Sequence, residues 1–406
     1  MASQFMLNRR VCYALLAITV FPLLDSDPAS SACAADDAAV FPISSFEGDP
    51  LILPVTIAET EHLFVVDSGA TCHLFDAALK SSLGPSRDFQ LASQADGSEV
   101  RVEIFDAPDA KIGRLSLGVE APVACADLSA MRERFGRNVQ GILGLPFFAA
   151  YVIQLDFEKR EMRILPGDAE PQEEWGQLIM VAKEKHSNLV GIRAKVAGLD
   201  FDEVVVLDSG FNGELSLRSD VYGYLAQEGQ ISSGWMTEIT LVNKAVPGRQ
   251  GRLECLGVGG FTHNQIVVSE GDKKGCIGLL YLQRYRVTLD LGRGRIFLEP
   301  NSRFHEPSAE PSLSGLTGVV MLRKAGKTII TNVFAGKPAA EAGVQVEDEL
   351  LSVGSVPITT QPVAEIASLV RTEVDDSGNL ALLVDREGKT KSFVLKSVRP
   401  RTPAGK

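Results

Sequence analysis

Two aspartates in this chain sit where a carboxylate needs a reason. Asp67 ends the apolar run Phe64-Val65-Val66, Asp208 ends Val204-Val205-Val206-Leu207, and each is followed by Ser-Gly. A carboxylate at the end of a buried strand costs free energy unless it is paired or hydrogen-bonded. Gly69 and Gly210 allow a tight turn and leave their amides open to the carboxylates. Ser68 and Ser209 supply hydroxyls that can bond backbone or a partner loop. Two such loops brought face to face place two carboxylates in one site. They cannot both ionise readily, so they share a proton. A pair in that state does acid–base chemistry: one member activates a water, the other protonates a substrate carbonyl, and no covalent intermediate is needed.

Asp-Ser-Gly is by itself an ordinary turn sequence. The chain carries its own control, Asp376-Ser377-Gly378, which follows Glu373-Val374-Asp375 rather than an apolar run and reads as a surface turn. What separates the first two copies is a second landmark roughly 70 residues on, an apolar-apolar-Gly segment: Ile142-Leu143-Gly144 and Cys276-Ile277-Gly278. Residues 141–164 align without a gap on 275–298, with Gly141/Gly275, Gly144/Gly278, Leu145/Leu279, Tyr151/Tyr285, Leu155/Leu289 and Asp156/Asp290 identical. Two landmarks in the same order indicate a duplication. Each repeat, at roughly 120 residues, is too long for a solenoid unit and has the size of a small β-domain.

The sequence FVVDSGAT (64–71) with GILG (141–144) resembles the aspartic peptidases of the pepsin and retropepsin kind. The resemblance covers about residues 45–300. It implies Asp67 and Asp208 as the catalytic pair, with Ser68, Gly69, Thr71, Ser209, Gly210 and Asn212 completing the two loops. It makes Ile142, Leu143, Gly144, Ile277 and Gly278 the segments beneath them. It implies a substrate-covering flap at Gln94, Ala95, Asp96, Gly97 and Ser98, where Ala95-Asp96-Gly97 already reads as a hairpin turn. A second flap is expected within Leu241 to Arg252. The expected activity is endopeptidase cleavage of polypeptide substrates in a cleft between two lobes of a monomer, with no cofactor. The second loop departs from the family: Phe211 and Asn212 stand where Ala or Ser and a hydroxyl residue are usual. Neither Ala70 nor Phe211 offers a hydroxyl to the carboxylates, so the pair is expected to titrate high and to work at weakly acidic pH. A decayed peptide-binding protein, using the cleft without cutting, is the alternative. A third arrangement, single-site units dimerising between chains, is unnecessary when one chain supplies both halves.

The elements that must hold these residues are mostly short strands. Leu51 to Ala58 alternates apolar and polar residues, as a half-buried strand does, and the runs before each aspartate are continuous, as a doubly buried strand requires. Helices are expected at Leu128–Phe135 and Ser219–Glu228. After a Pro- and Ser-rich stretch the pattern changes: strands at Val319–Leu322, Thr328–Val333 and Leu350–Val353, a short helix at Lys337–Gly343, a helix at Val363–Arg371, and a closing hairpin at Leu380–Asp385 and Lys391–Leu395. The stretch 333–358 resembles a PDZ domain. That resemblance implies a groove for protein C-termini at Leu316, Thr317, Gly318, Val319 and Val320, the peptide adding a strand to the sheet edge. The alternative is a packing module without a ligand. The fold class expected is mainly β: duplicated retropepsin-like lobes forming a bilobed cleft, plus a small α+β PDZ-like domain.

Boundaries follow from composition. A signal peptide is expected over 1–34, with Arg9 and Arg10, a short apolar run from Val11 to Leu24, and small residues from Ala29 to Ala35; the run falls short of a bilayer span. The first lobe is 38–168, the second 178–300, a linker 301–312, and the PDZ-like domain 313–398. Export to the periplasm or beyond is the expectation. Cys72, Cys125, Cys255 and Cys276 would remain after cleavage; four allow three pairings in an oxidising compartment. Cys276 stands at the repeat position of Ile142 and reads as a small buried hydrophobe. The spacing of cysteines and histidines matches no metal site. A net charge of −12 argues against nucleic acid as a partner.

Overall fold

The computed structural model describes residues 38–44, 49–94, 98–117, 122–183, 189–240, 245–271, 274–308, 313–361, 363–396 and 398. The expected signal peptide, the flap tip at Ala95, Asp96 and Gly97, and the end of the expected linker lie outside them.

The duplication inferred from sequence governs the topology. In the first repeat the sheet runs Ser86–Ser93, Glu99–Phe105, Val123–Ala126, Leu74–Asp76, Val139–Leu143, Thr60–Val66, Ile52–Ile57. In the second it runs Ile231–Thr240, Ala245–Val258, Phe261–Gly271, Leu215–Arg218, Gly275–Ile277, Asp202–Leu207, Val190–Val196. Over these seven strands the two orders are the same; the first sheet continues past Ile52–Ile57 with Ala110–Ile112 and Leu115–Ser116. Register agrees as well. Phe64, Val65 and Val66 lie parallel to Gly141, Ile142 and Leu143, as Val205, Val206 and Leu207 lie parallel to Gly275, Cys276 and Ile277. The continuous apolar runs are thus central strands, covered on both faces. Phe64, Val65 and Val66 are each no more than 2% exposed, whereas Thr60 and Glu61 at the other end of the strand face solvent. Each such buried side chain contributes about 1.5–3 kcal/mol.

The repeats join through a base of strands. Ala39–Pro42, Glu161–Pro166, Tyr151–Asp156, Tyr285–Asp290, Arg295–Pro300 and Gln177–Lys183 lie side by side. At its centre Ile153 faces Leu289, Gln154 faces Thr288 and Leu155 faces Val287. Residues 154 and 288 are equivalent in the repeats, so the pseudo-twofold axis passes between them, and Gln154 Nε2 donates to Thr288 Oγ1 at 3.1 Å.

The C-terminal module has its own sheet, in the order Val319–Lys324, Lys327–Val333, Glu349–Val353, Leu380–Arg386, Lys389–Leu395, with Val356–Pro357 against the third strand. The Val363–Thr372 helix turns Val363, Ile366 and Val370 into this core, the spacing of one helical face. The Pro338–Ala342 helix ends on Gly343 at φ 87°, the left-handed cap that glycine adopts without steric cost. The segment 301–308, expected as a linker, is tied to the second repeat. Arg284 donates to Glu306 O at 2.6 Å, to Ser308 Oγ at 3.2 Å and to Glu214 at 2.7 Å, and Phe304 packs its ring against Phe261, His263 and Tyr285. The Phe304 ring and the Arg284 bonds anchor it together.

Candidate active site

The two Asp-Ser-Gly loops meet. Ser68 N donates to Ser209 Oγ at 2.9 Å, and Ser209 N donates to Ser68 Oγ at 3.0 Å. Each hydroxyl then donates across the axis: Ser68 Oγ to Leu207 O at 2.8 Å and Ser209 Oγ to Val66 O at 2.9 Å. Four reciprocal bonds lock the strand ends that carry the aspartates. Within each loop the glycine amide holds its own carboxylate, Gly69 N to Asp67 Oδ1 at 2.8 Å and Gly210 N to Asp208 Oδ1 at 2.9 Å.

Glycine is required at both positions for room. A Cβ on Gly69 would stand 2.6 Å from the Asp208 carboxyl carbon, and one on Gly210 would stand 2.5 Å from that of Asp67. Each glycine therefore faces the opposite carboxylate, which brings the two carboxylates together. Backbone bonds tie each loop to the segment beneath it: Asp67 N donates to Leu143 O and Asp208 N to Ile277 O, both at 2.9 Å. Gly144 and Gly278 pass under the loops so closely that a Cβ would lie 2.2 Å from Cys72 O and from Phe211 O respectively. Thr71 and Asn212 are half-buried beside the loops.

Environment distinguishes the two carboxylates. Asp67 is 8% exposed and Asp208 is 0% exposed. Burial, and then the neighbouring charge of Asp67, pushes the Asp208 carboxyl well above the ordinary range. Asp67 is also raised by burial, but the amides of Gly69, Ala70 and Gly210 and the Asp208 side chain oppose that. Both carboxyls are thus raised, and Asp208 the more strongly, as two close buried carboxylates that cannot both ionise readily require. Asp208 Oδ2 is buried and meets no hydrogen-bond partner among the described residues.

The neighbours are inert. Burial raises the Cys72 thiol to about 12 and the Cys276 thiol well above its ordinary value. Neither supplies a nucleophile. Cys72, Cys125, Cys255 and Cys276 are all unpaired, so none of the three disulfide connectivities forms; Cys276 packs with Leu189 and Val206 as a small hydrophobe. His73 is buried with burial lowering it to about 4, so its neutral Nδ1 accepts from Gly144 N at 3.1 Å.

The first expected flap is a hairpin. Ser93 pairs with Glu99, and Gln94 N donates to Ser98 O at 2.8 Å. The second repeat has a hairpin at the equivalent place, Ile231–Thr240 with Ala245–Val258, pairing as far as Thr240 and Ala245. The control behaves as a turn: Asp376 and Ser377 are exposed, and Asp375 Oδ1 accepts from Ser377 N and Asn379 N. In the C-terminal module Leu316 and Thr317 belong to a short helix, Leu313–Thr317, while Gly318 adopts φ 82° and Val319 and Val320 open the edge strand.

Two supports were not visible in the sequence. Asp76 Oδ2 accepts from Leu128 N at 2.9 Å and from Arg132 at 2.5 Å, fixing the Ser129–Phe135 helix. Glu214, in the second loop's exit, accepts from Val267 N at 2.6 Å and pairs with Arg284. Both pairs join residues tens of positions apart with no shared motif.

A family model for aspartyl protease matches residues 53–147, and one for the PDZ domain matches 329–383. The chain thus carries an aspartyl protease domain and a PDZ domain at those residues. No curated protein matches the sequence. Among solved structures the basic 7S globulin from soybean is similar at 11% identity and TM-score 0.41, over 67% of this chain and 97% of that one.

Proposed function

We propose that this chain is an exported aspartic endopeptidase that hydrolyses peptide bonds with a water activated by Asp67 and Asp208. The observation that carries the reading is the reciprocal lock of Ser68 and Ser209, which sets two buried carboxylates in one site. Asp67, the more open and the more readily ionised, takes a proton from the attacking water. Asp208 gives its proton to the oxygen of the scissile carbonyl. The products of that step are a neutral tetrahedral diol and a pair with the proton moved to Asp67, from which the leaving amine is protonated as the C–N bond breaks. The substrate lies extended across the pair, between the hairpins at 93–99 and 231–258. The PDZ domain recruits or positions protein substrates. Export rests on the pattern of residues 1–34.

The test is cleavage of an unfolded protein from pH 3 to 8 beside Asp67→Asn and Asp208→Asn. Each substitution is expected to lower the rate by roughly 10²–10⁴-fold, the usual worth of a general acid or base. Loss in Asp67→Asn alone would make the second loop a support only, and binding without cleavage at any pH would favour the decayed, peptide-holding alternative.

A further inference from the structure

Read as peptide-binding, the C-terminal module would take a peptide beside its edge strand Val319–Lys324, on which the Val363–Thr372 helix also packs. The Ser129–Phe135 helix of the first repeat comes within 8 Å, Cα to Cα, of both. One side of that helix is committed to its own repeat: Met131 and Phe135 pack with Leu128 in the local core, and Arg132 pairs with Asp76. Ala130 and Glu133 lie on the opposite side by helical spacing, yet both are half-buried rather than exposed.

Three further observations agree. Val320 is only 5% exposed although it stands outside the core that Val319 and Met321 join. The Leu313–Thr317 helix, where the carboxylate-binding loop was expected, lies against the Ile231–Thr240 strand of the second repeat's hairpin. There buried Thr237 Oγ1 and Ser314 Oγ are 3.3 Å apart. Two amides of that loop are also taken: Gly318 N donates to Ser314 O at 2.8 Å and Val319 N to Thr317 Oγ1 at 3.1 Å.

We infer that the Ser129–Phe135 helix is an internal occupant of the groove, so that the module is self-closed in this state and a peptide C-terminus binds only by displacing it. The inference rests on the reading of the module as peptide-binding. The contact is regulatory by position, because three residues separate the helix from Val139–Leu143, the strand whose Leu143 O holds Asp67 N. Binding at the groove and order beneath the dyad then share one element that both sites bias.

The experiment uses the full chain carrying Asp208→Asn, so that the probe is not cut. The probe is a fluorescent ten-residue peptide with an apolar C-terminal residue and a free carboxylate; its C-terminal amide is the control. Two variants open the joint from different sides, Ala130→Arg/Glu133→Arg on the helix and Thr237→Arg under Leu313–Thr317. Both are expected to bind the acid at least tenfold more tightly than the parent, because apparent affinity scales with the fraction of open groove. In the parent, saturating peptide should speed hydrogen exchange at residues 129–135. Equal affinity in parent and variants, or binding without faster exchange in that helix, overturns the inference and leaves the peptide-binding reading intact. No binding by parent or by either variant overturns both.

Discussion

Replacing Ser68 by Ala takes the acceptor from Ser209 N and a donor from Leu207 O; replacing Ser209 by Ala does the same to Ser68 N and Val66 O. All of these groups are buried. A buried polar group left unsatisfied costs about 1–3 kcal/mol, so each substitution should cost roughly 2–5 kcal/mol. At about 2–4 °C per kcal/mol for units of this size, Tm should fall by roughly 5–15 °C. The two falls should be equal, because the bonds are equivalent about the axis. The double variant should lose less than the sum, since the first substitution already opens the joint the second would open. Thermal unfolding can be followed by the fluorescence of Trp175, which is 2% exposed and packs on Phe297 beside the strands that join the repeats. Ser377→Ala, in the exposed third copy, is the control and should stay within about 0.5 kcal/mol of the parent. A large fall for one serine with the other no worse than Ser377→Ala would refute the reciprocal lock.

Three other outcomes are expected. Asp208 keeps in the folded state a proton that the unfolded chain gives up near its ordinary value of 3.8, so its contribution is full below that value and is lost as pH rises; Asp208→Asn should flatten the decline of stability between pH 4 and 7, and an unchanged slope would show that the raised carboxyl is elsewhere. His73 is depressed to about 4 from 6.5, so its contribution is present above pH 6.5 and lost as pH falls through 4; His73→Gln, which can still accept from Gly144 N, should abolish roughly 2–3 kcal/mol of the acid destabilisation read by urea unfolding at pH 7 and 4.5. Asp76→Ala should cost about 3 kcal/mol by stranding Leu128 N and a partly covered Arg132, seen as faster exchange in Ser129–Phe135, whereas an unmoved helix would mean the pair carries no load.

The sequence was most legible where one residue type answers one local demand. Asp67 and Asp208 could be separated from Asp376 because a buried strand before the tripeptide and a glycine segment after it are both needed to hold a carboxylate indoors. Strand and helix positions in the C-terminal module followed from periodicity, and Gly343 from its cap. What could not be read was pairing at a distance. Nothing local in Gln154 points to Thr288, nor in Glu214 to Arg284, because hydrogen-bonding partners across a sheet are set by register and fold. The Ser129–Phe135 helix was legible as a helix, but its outer face, Ala130 and Glu133, looks like ordinary solvent-facing surface. Composition likewise reports the stiffness and polarity of a Pro-rich stretch, not the Phe304 ring and the Arg284 bonds that tie 301–308 to the second repeat.

The bond between Gln154 and Thr288 bears on descent. In a dimer of identical chains a residue on the twofold axis meets its own copy, Gln against Gln or Thr against Thr. A long amide donating to a short hydroxyl at that point requires two different halves, which this chain supplies by carrying both repeats. Once unlike residues settle on the axis, the halves are free to drift apart elsewhere, as Ala70 and Phe211 have beside their aspartates. The same bond blocks the return: a half of this chain made alone would bring two glutamines, or two threonines, into a gap shaped for one of each.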